Sequence, residues 1–205
     1  MVSDKYDDKT CFEKVREYAE KNLSKARYEH SFRVAETAGK MCRLYGLDEN
    51  LGKIAGMAHD ICKEISDDEM ISLAKQDGNS IEGLEAKKTS LLHGRAAAVK
   101  IQGEFGIHNK DVLEAVANHT FGKANCSDLA KIVFAADKIE PGRPQSTDEY
   151  RKNLFAKTLD FLVISVLEEN LEYLEKKGKK IAPASFEWLK QLEKDNLGKT
   201  ENLKN

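Results

Sequence analysis

Ile54-Ala-Gly-Met-Ala-His-Asp-Ile-Cys-Lys63 is the stretch on which the reading of this chain turns. With Leu51 and Ile65, its residues Ile54, Ala55, Ala58, Ile61 and Cys62 recur at helical spacing and make one apolar face. The spacing predicts a helix over about Asp48–Lys63, with His59 and Asp60 near the edge of that face. Adjacent imidazole and carboxylate groups are a poor way to build a core, because each needs a partner once water is excluded. The two are about 100° apart on a helix, so both can reach a site lying between their directions. Such a pair asks for a metal.

Working outward, further donors appear in short polar words within apolar surroundings. His30 lies in Tyr28-Glu-His-Ser, His93 in Leu91-Leu-His-Gly, His119 in Asn118-His-Thr and Asp137 in Phe134-Ala-Ala-Asp-Lys-Ile-Glu-Pro141. His108 stands apart in a turn-like stretch beside Asn109 and Lys110. His30 shares a stripe with Val34, Ala38, Met41 and Tyr45; His119 follows Val112 and Val116; Asp137 follows Leu129 and Val133. All three face inward.

A lone inward histidine is ordinarily a hydrogen-bonded core residue. Six donors together weigh differently. An uncompensated buried carboxylate costs several kcal/mol, whereas whole domains are stable by only about 5–15 kcal/mol. Arg and Lys are scarce on these apolar faces, and cations would not satisfy four imidazoles. A pair of divalent metals uses all six donors, which suit Fe, Mn, Co, Ni or Zn. Three or four ligands fill a tetrahedral zinc site, so six donors with one bridging carboxylate point to a two-metal centre.

Few prolines and abundant Ala, Leu, Glu and Lys predict an all-α fold. Thr10-Cys-Phe-Glu13 and Ser66-Asp-Asp-Glu69 have the form of capping boxes, Ser24 can cap a helix that Gly46 stops, and Gly78 ends the helix after Ser66. Residues 79–90 read as a loop or weak helix. Helices follow over about Leu92–Phe105, Asn109–His119, Ser127–Ile139, Asp148–Lys177 as one long element, and Pro183–Lys194. With 205 residues and no composition shift, one domain over 10–194 is expected, between a flexible N-terminus (1–9) and a flexible tail (195–205).

A formal charge of −2 argues against nucleic acid or an anionic membrane as partner, and no apolar run approaches the roughly 20 residues that span a bilayer. Cys11, Cys42, Cys62 and Cys126 show no CxxC spacing, and the N-terminus lacks a signal-peptide pattern. Reduced thiols in the cytoplasm are the simplest reading. The amphipathic first or last helix could support a homodimer.

The ordered donors His, His-Asp, His, His, Asp resemble the HD-domain metal-dependent phosphohydrolases. The surrounding words Tyr28-Glu-His-Ser-Phe-Arg-Val-Ala-Glu36, His59-Asp-Ile-Cys-Lys63, Leu92-His-Gly94, Asn118-His-Thr-Phe-Gly122 and Ala136-Asp-Lys-Ile-Glu-Pro-Gly-Arg143 resemble the YqeK-type members, and the likeness covers about Cys11–Lys190. It implies a compact HD-domain helical bundle. The implied activity is symmetrical bis(5'-nucleosyl)-tetraphosphatase, turning diadenosine tetraphosphate into two ADP through a metal-activated hydroxide, with an iron-containing centre.

By position, the resemblance makes His30, His59, Asp60 and Asp137 ligands of one metal, with Asp60 bridging to a second metal held by His93 and His119. It puts Arg27, Lys63, His93, His119, Thr120 and Arg143 near nucleotide phosphates and the stretch Asn170–Leu174, including Tyr173, near the nucleoside. Asp60, Lys63 and Arg143 are the expected catalytic residues. Arg33 and Glu36 read as a solvated helix face, and Trp188 and Phe186 as packing groups. Three departures from the family pattern are Lys123-Ala-Asn-Cys126, Lys138 in place of a tyrosine, and Arg95 in place of a proline. Two other readings fit the donor set: an HD phosphohydrolase for a mononucleotide or nucleoside polyphosphate, and a nucleotide-sensing metal protein without turnover.

Overall fold

The computed structural model of the chain describes residues 8–202. It is all-α, with no strand among the described residues. The helices are α1 (Asp8–Asn22), α2 (Lys25–Leu44), α3 (Glu49–Ala58), α4 (Asp67–Ala74), α5 (His93–Phe105), α6 (Lys110–Asn118), α7 (Asp128–Ile139), α8 (Asp148–Phe155), α9 (Leu159–Lys176) and α10 (Pro183–Asn202). Single 3-10 turns cover Lys75–Asp77, Glu85–Lys87 and Thr89–Leu91. Residues 1–7 and 203–205, within the two ends expected to be flexible, lie outside the described residues.

Local chemistry sets most helix starts. Ser24, Asp48, Ser66, Asn109, Ser127 and Thr147 each stand just before a helix and accept a first-turn backbone N–H through the side chain. Each thereby satisfies an amide that the helix itself leaves without an acceptor.

Close backbone packing then brings the polar donors together. A Cβ on Gly56 would lie 2.7 Å from Ala35 Cα, and one on Gly52 would lie 2.8 Å from the Ala38 carbonyl oxygen. Only glycine at these positions lets α3 lie this close against α2, beside His30. Helix α3 also packs on α1, α6 and α7, with α9 on the far side of α7 and α10 on α9. The core between them holds Met41, Ile54, Met57, Ile61, Ile101, Val116, Ile132 and Phe134, all buried. Burying each such side chain contributes about 1.5–3 kcal/mol.

Several boundaries differ from the sequence reading. Helix α3 stops at Ala58 and residues 59–64 form turns, closed by Lys63 N–H to Asp60 O at 2.9 Å. His59 itself keeps right-handed helical angles, φ −55 and ψ −36, as the cap of α3. The long helix expected over Asp148–Lys177 is two helices, α8 and α9. The break lets Leu154 and Leu159, which five residues would otherwise turn to different faces, both be buried. Tyr45 Oη donates to the Lys157 carbonyl exposed there, at 3.1 Å. Helix α1 begins at Asp8 rather than Thr10, and α10 continues to Asn202, beyond the expected end near Lys194.

Cys42, Cys62 and Cys126 are free thiols, and Cys11, Cys42 and Cys62 are buried. No described helix is long and apolar enough to cross a membrane.

Candidate metal centre

Four imidazoles and two carboxylates from separate elements meet at one point. His59 caps the C-terminus of α3 and His119 that of α6, His93 opens α5, His30 sits in the second turn of α2, and Asp137 lies in the last turn of α7. The rings form a chain: His30 to His59 at 5.2 Å between centroids, His59 to His119 at 4.9 Å, and His119 to His93 at 4.8 Å. Gly94 permits the last contact, since a Cβ there would lie 3.1 Å from His119 Cε1 and 2.8 Å from the Val116 carbonyl oxygen.

Asp60 stands between the two ends of this chain. Its Oδ1 is 3.0 Å from His93 Nε2 and 3.7 Å from His119 Nε2. Its Oδ2 is 3.5 Å from His59 Nε2 and 3.8 Å from His30 Nε2. Asp137 Oδ1 lies 3.1 Å from His30 Nε2 and 3.7 Å from His59 Nε2.

Every ring is turned the same way, with Nδ1 outward and Nε2 inward. His59 Nδ1 meets the Gly56 carbonyl at 2.7 Å, His93 Nδ1 that of Ser90 at 2.7 Å, and His119 Nδ1 that of Val116 at 2.8 Å. His30 Nδ1 meets Glu140 Oε1 at 3.1 Å. Acceptors at Nδ1 fix the neutral tautomer that carries its hydrogen there and leave a lone pair on Nε2. Two of the four inner atoms then lack partners. Nε2 of His30 and of His59 are buried without a hydrogen bond, the short approach of Asp137 to His30 lying outside hydrogen-bond geometry. His93 and His119 confront each other Nε2 to Nε2 at 2.9 Å.

Orphaned lone pairs and two carboxylates facing a common interior fit divalent cations. Ligand atoms within 4.8 Å of one another occur in the sets His30, His59, Asp60 and Asp60, His93, His119, and also in His59, His119, Asp137, so the two sets adjoin. The protonation states of four of these groups suit ligation as well, whereas for His30 burial is outweighed by Asp137 and Glu140, which raise it above the ordinary histidine value. Burial, reinforced for His119 by its histidine neighbours, pushes His59 down and His119 well below the ordinary histidine value. Burial alone would raise both aspartates, yet the surrounding histidines and, for Asp137, Lys138 hold them well below the usual carboxylate range.

Four cations ring this interior. Arg27 Nη1 donates to Asp60 Oδ2 at 2.6 Å, and Arg143 Nη2 to Asp137 Oδ1 at 2.5 Å. Lys138 Nζ reaches Asp137 Oδ2 at 3.1 Å, and Lys63 Nζ lies 3.2 Å from His93 Nε2. They come from turns and helix ends rather than from the apolar faces, so helical periodicity does not reveal them. Thr120 Oγ1 is 3.4 Å from His119 Nε2. Asn170 and Tyr173 sit on α9, and among the described residues no hydrogen bond joins either to the cluster. Tyr173 is exposed and carries Lys177 and Lys179 over its ring.

A model of the HD domain matches residues 27–142, a span that contains all six donors. The chain belongs to the HD-domain family. Within it the chain is 34% identical over 171 residues to the symmetrical bis(5'-nucleosyl)-tetraphosphatase of Halalkalibacterium halodurans, covering 83% of this chain and 91% of the relative. It is 38% identical over 133 residues to the protein of the same name from Staphylococcus aureus, covering 64% and 67%. A solved structure from Clostridium acetobutylicum, described as a predicted HD superfamily hydrolase involved in NAD metabolism, aligns with a TM-score of 0.82 at 28% identity. It covers 90% of this chain and 97% of its own. These relatives put the chain in the YqeK-type branch of the HD-domain phosphohydrolases.

Two residues of this HD domain escaped the sequence reading. Arg33, expected on a solvated face, donates from Nε to Glu140 Oε2 at 2.5 Å. Glu140 is buried, which pushes its carboxyl up, but His30, Arg33 and the Gly142 amide pull it down to about 2. The Ile139-Glu-Pro-Gly-Arg143 word held the signal, since an acidic residue beside Ile139 at a helix end needs a partner.

Proposed function

We propose that the chain hydrolyses diadenosine tetraphosphate symmetrically to two ADP. Asp60 carries this reading: one carboxylate presents Oδ1 to His93 and His119 and Oδ2 to His30 and His59. In this reading His30, His59, Asp60 and Asp137 hold one divalent cation and Asp60, His93 and His119 hold a second. The family resemblance puts iron first among Fe, Mn, Co, Ni and Zn, all of which suit these donors. When bound, such a pair supplies water of lowered pKa and positive charge against phosphoryl oxygens. The tetraphosphatase names of the relatives support the substrate class.

A phosphoanhydride resists water because its oxygens repel a nucleophile. Arg27, Arg143 and Lys63 answer that repulsion, and Thr120 offers a hydroxyl to a phosphate oxygen. Water adds in line to the second phosphorus while the bond from that phosphorus to the central bridging oxygen breaks. The departing oxygen takes the electron pair, and the products are two ADP and, with both new terminal phosphates ionised, two protons. Lys63 and Arg143 offset the charge that gathers on the departing oxygen. Burial holds Lys63 below the ordinary lysine value, partly offset by Asp60, so its ammonium sits where phosphate contact is strong. Asn170 and Tyr173 are the proposed nucleoside contacts, the exposed ring of Tyr173 being suited to stacking.

Asp60→Ala tests the reading. Metal content and diadenosine tetraphosphate turnover should be lost together, and retained turnover would reject the bridging role.

A further inference from the structure

Three of the four histidines are oriented by their own local backbone. His59, His93 and His119 stand at helix ends and donate to the carbonyl three residues back, a neutral acceptor. His30 cannot do this. It lies inside α2, where the neighbouring carbonyls are spent on helix hydrogen bonds, so its Nδ1 needs an acceptor from elsewhere in the fold. Glu140, 110 residues away, supplies a charged one.

The carboxylate is itself built in. Glu140 is 1% exposed and takes Arg33 Nε at 2.5 Å and the Gly142 amide at 2.5 Å on Oε2, with His30 on Oε1. Arg33 Nη2 adds a longer contact to Oε1 at 3.3 Å. A Cβ on Gly142 would lie 2.4 Å from Arg33 Nη2, so a side chain there would have to displace the guanidinium.

We propose that Glu140, held by Arg33 and Gly142, is a positioning residue that makes His30 the strongest imidazole donor of the centre. A carboxylate acceptor draws the Nδ1 hydrogen harder than a neutral carbonyl does and enriches the lone pair on Nε2. The cation shared by His30, His59, Asp60 and Asp137 is therefore bound more tightly than the one shared by Asp60, His93 and His119. This rests on the two-metal reading and adds an order of affinity to it.

The test is a Mn2+ titration of the chelator-stripped full chain, with free ion counted by electron paramagnetic resonance. Wild type should show two affinities. Glu140→Gln should weaken the tighter one by about 10–100-fold and leave the weaker one in place. If wild type shows two affinities and the variant changes neither, or lowers both alike, the Glu140 assignment is overturned while the metal reading stands. A wild type that binds no divalent ion overturns both. Should Glu140→Gln fail to fold, the Zn2+-loaded wild type carries the test through its histidine nitrogen-proton NMR spectrum. His30 Nδ1–H should lie furthest downfield of the four such protons, and its placement among the other three overturns the assignment.

Discussion

His93 and His119 face each other Nε2 to Nε2 at 2.9 Å, and the Nδ1 of each ring is already engaged by a backbone carbonyl. Two lone pairs at that separation repel; Lys63 Nζ, 3.2 Å from His93 Nε2, meets one of them, while the buried Nε2 atoms of His30 and His59 stay without a partner. Divalent ions should therefore stabilise the fold as well as serve chemistry. At a hundredfold excess over Kd the gain is about 2.7 kcal/mol. At about 2–4 °C per kcal/mol for a chain of this size, that is a rise of roughly 5–11 °C in Tm. Differential scanning calorimetry with and without chelator measures it, and an unchanged Tm would count against the site.

Lys63 should act on turnover more than on binding. Its half-buried ammonium lies 3.2 Å from His93 Nε2, where a departing phosphate oxygen would gain most from it. Lys63→Met is expected to lower kcat by about 10²–10³-fold with a smaller change in KM. Steady-state kinetics on diadenosine tetraphosphate separate the two. A rise in KM alone would make Lys63 a ground-state contact.

Gly122 should resist any side chain. It sits at φ 72, and a Cβ there would lie 2.0 Å from Trp188 Cε3. Trp188 is fully buried, edge-on to Phe134 at 4.8 Å between centroids, so it cannot withdraw. Gly122→Ala should cost about 2–4 kcal/mol from overpacking and backbone strain together. Urea unfolding followed by the fluorescence of this single tryptophan reads the loss.

Arg95 gives the segment before α5 a dependence on acid. Its guanidinium grips Asp77 with two hydrogen bonds, 2.6 and 2.8 Å, meets Glu85 at 2.5 Å and closes on the Asn79 and Ser80 carbonyls. Burial alone would raise the Asp77 carboxyl, but Arg95 and the Asn79 amide hold it below the ordinary value. A carboxylate depressed in the folded state contributes stability that is present above its unfolded value and fades as pH falls through its folded value. Arg95→Met should cost about 1–3 kcal/mol at neutral pH, and the gap to wild type should narrow below about pH 4. Denaturant melts at several pH values test this, and a constant gap would contradict it.

The donors were legible because they are chemically out of place: His30, His119 and Asp137 each fall on an apolar stripe. Helix starts were legible wherever a side chain caps its own helix, as Ser24 and Ser66 do. Long-range pairing was not. Periodicity gives the face of α2 on which Arg33 lies but not that Glu140 waits across from it. Nor does it show that α3 gives way to turns after Ala58. The break between α8 and α9 was hidden for the same reason, since the Lys157 carbonyl is caught by Tyr45 from a distant helix.

The central claim is symmetrical cleavage at a centre spanned by Asp60. Hydrolysis of diadenosine tetraphosphate by the metal-loaded chain in 18O-labelled water, with products resolved by mass, tests it directly. The account predicts ADP alone, half of it carrying one 18O on its terminal phosphate. AMP together with ATP would contradict it.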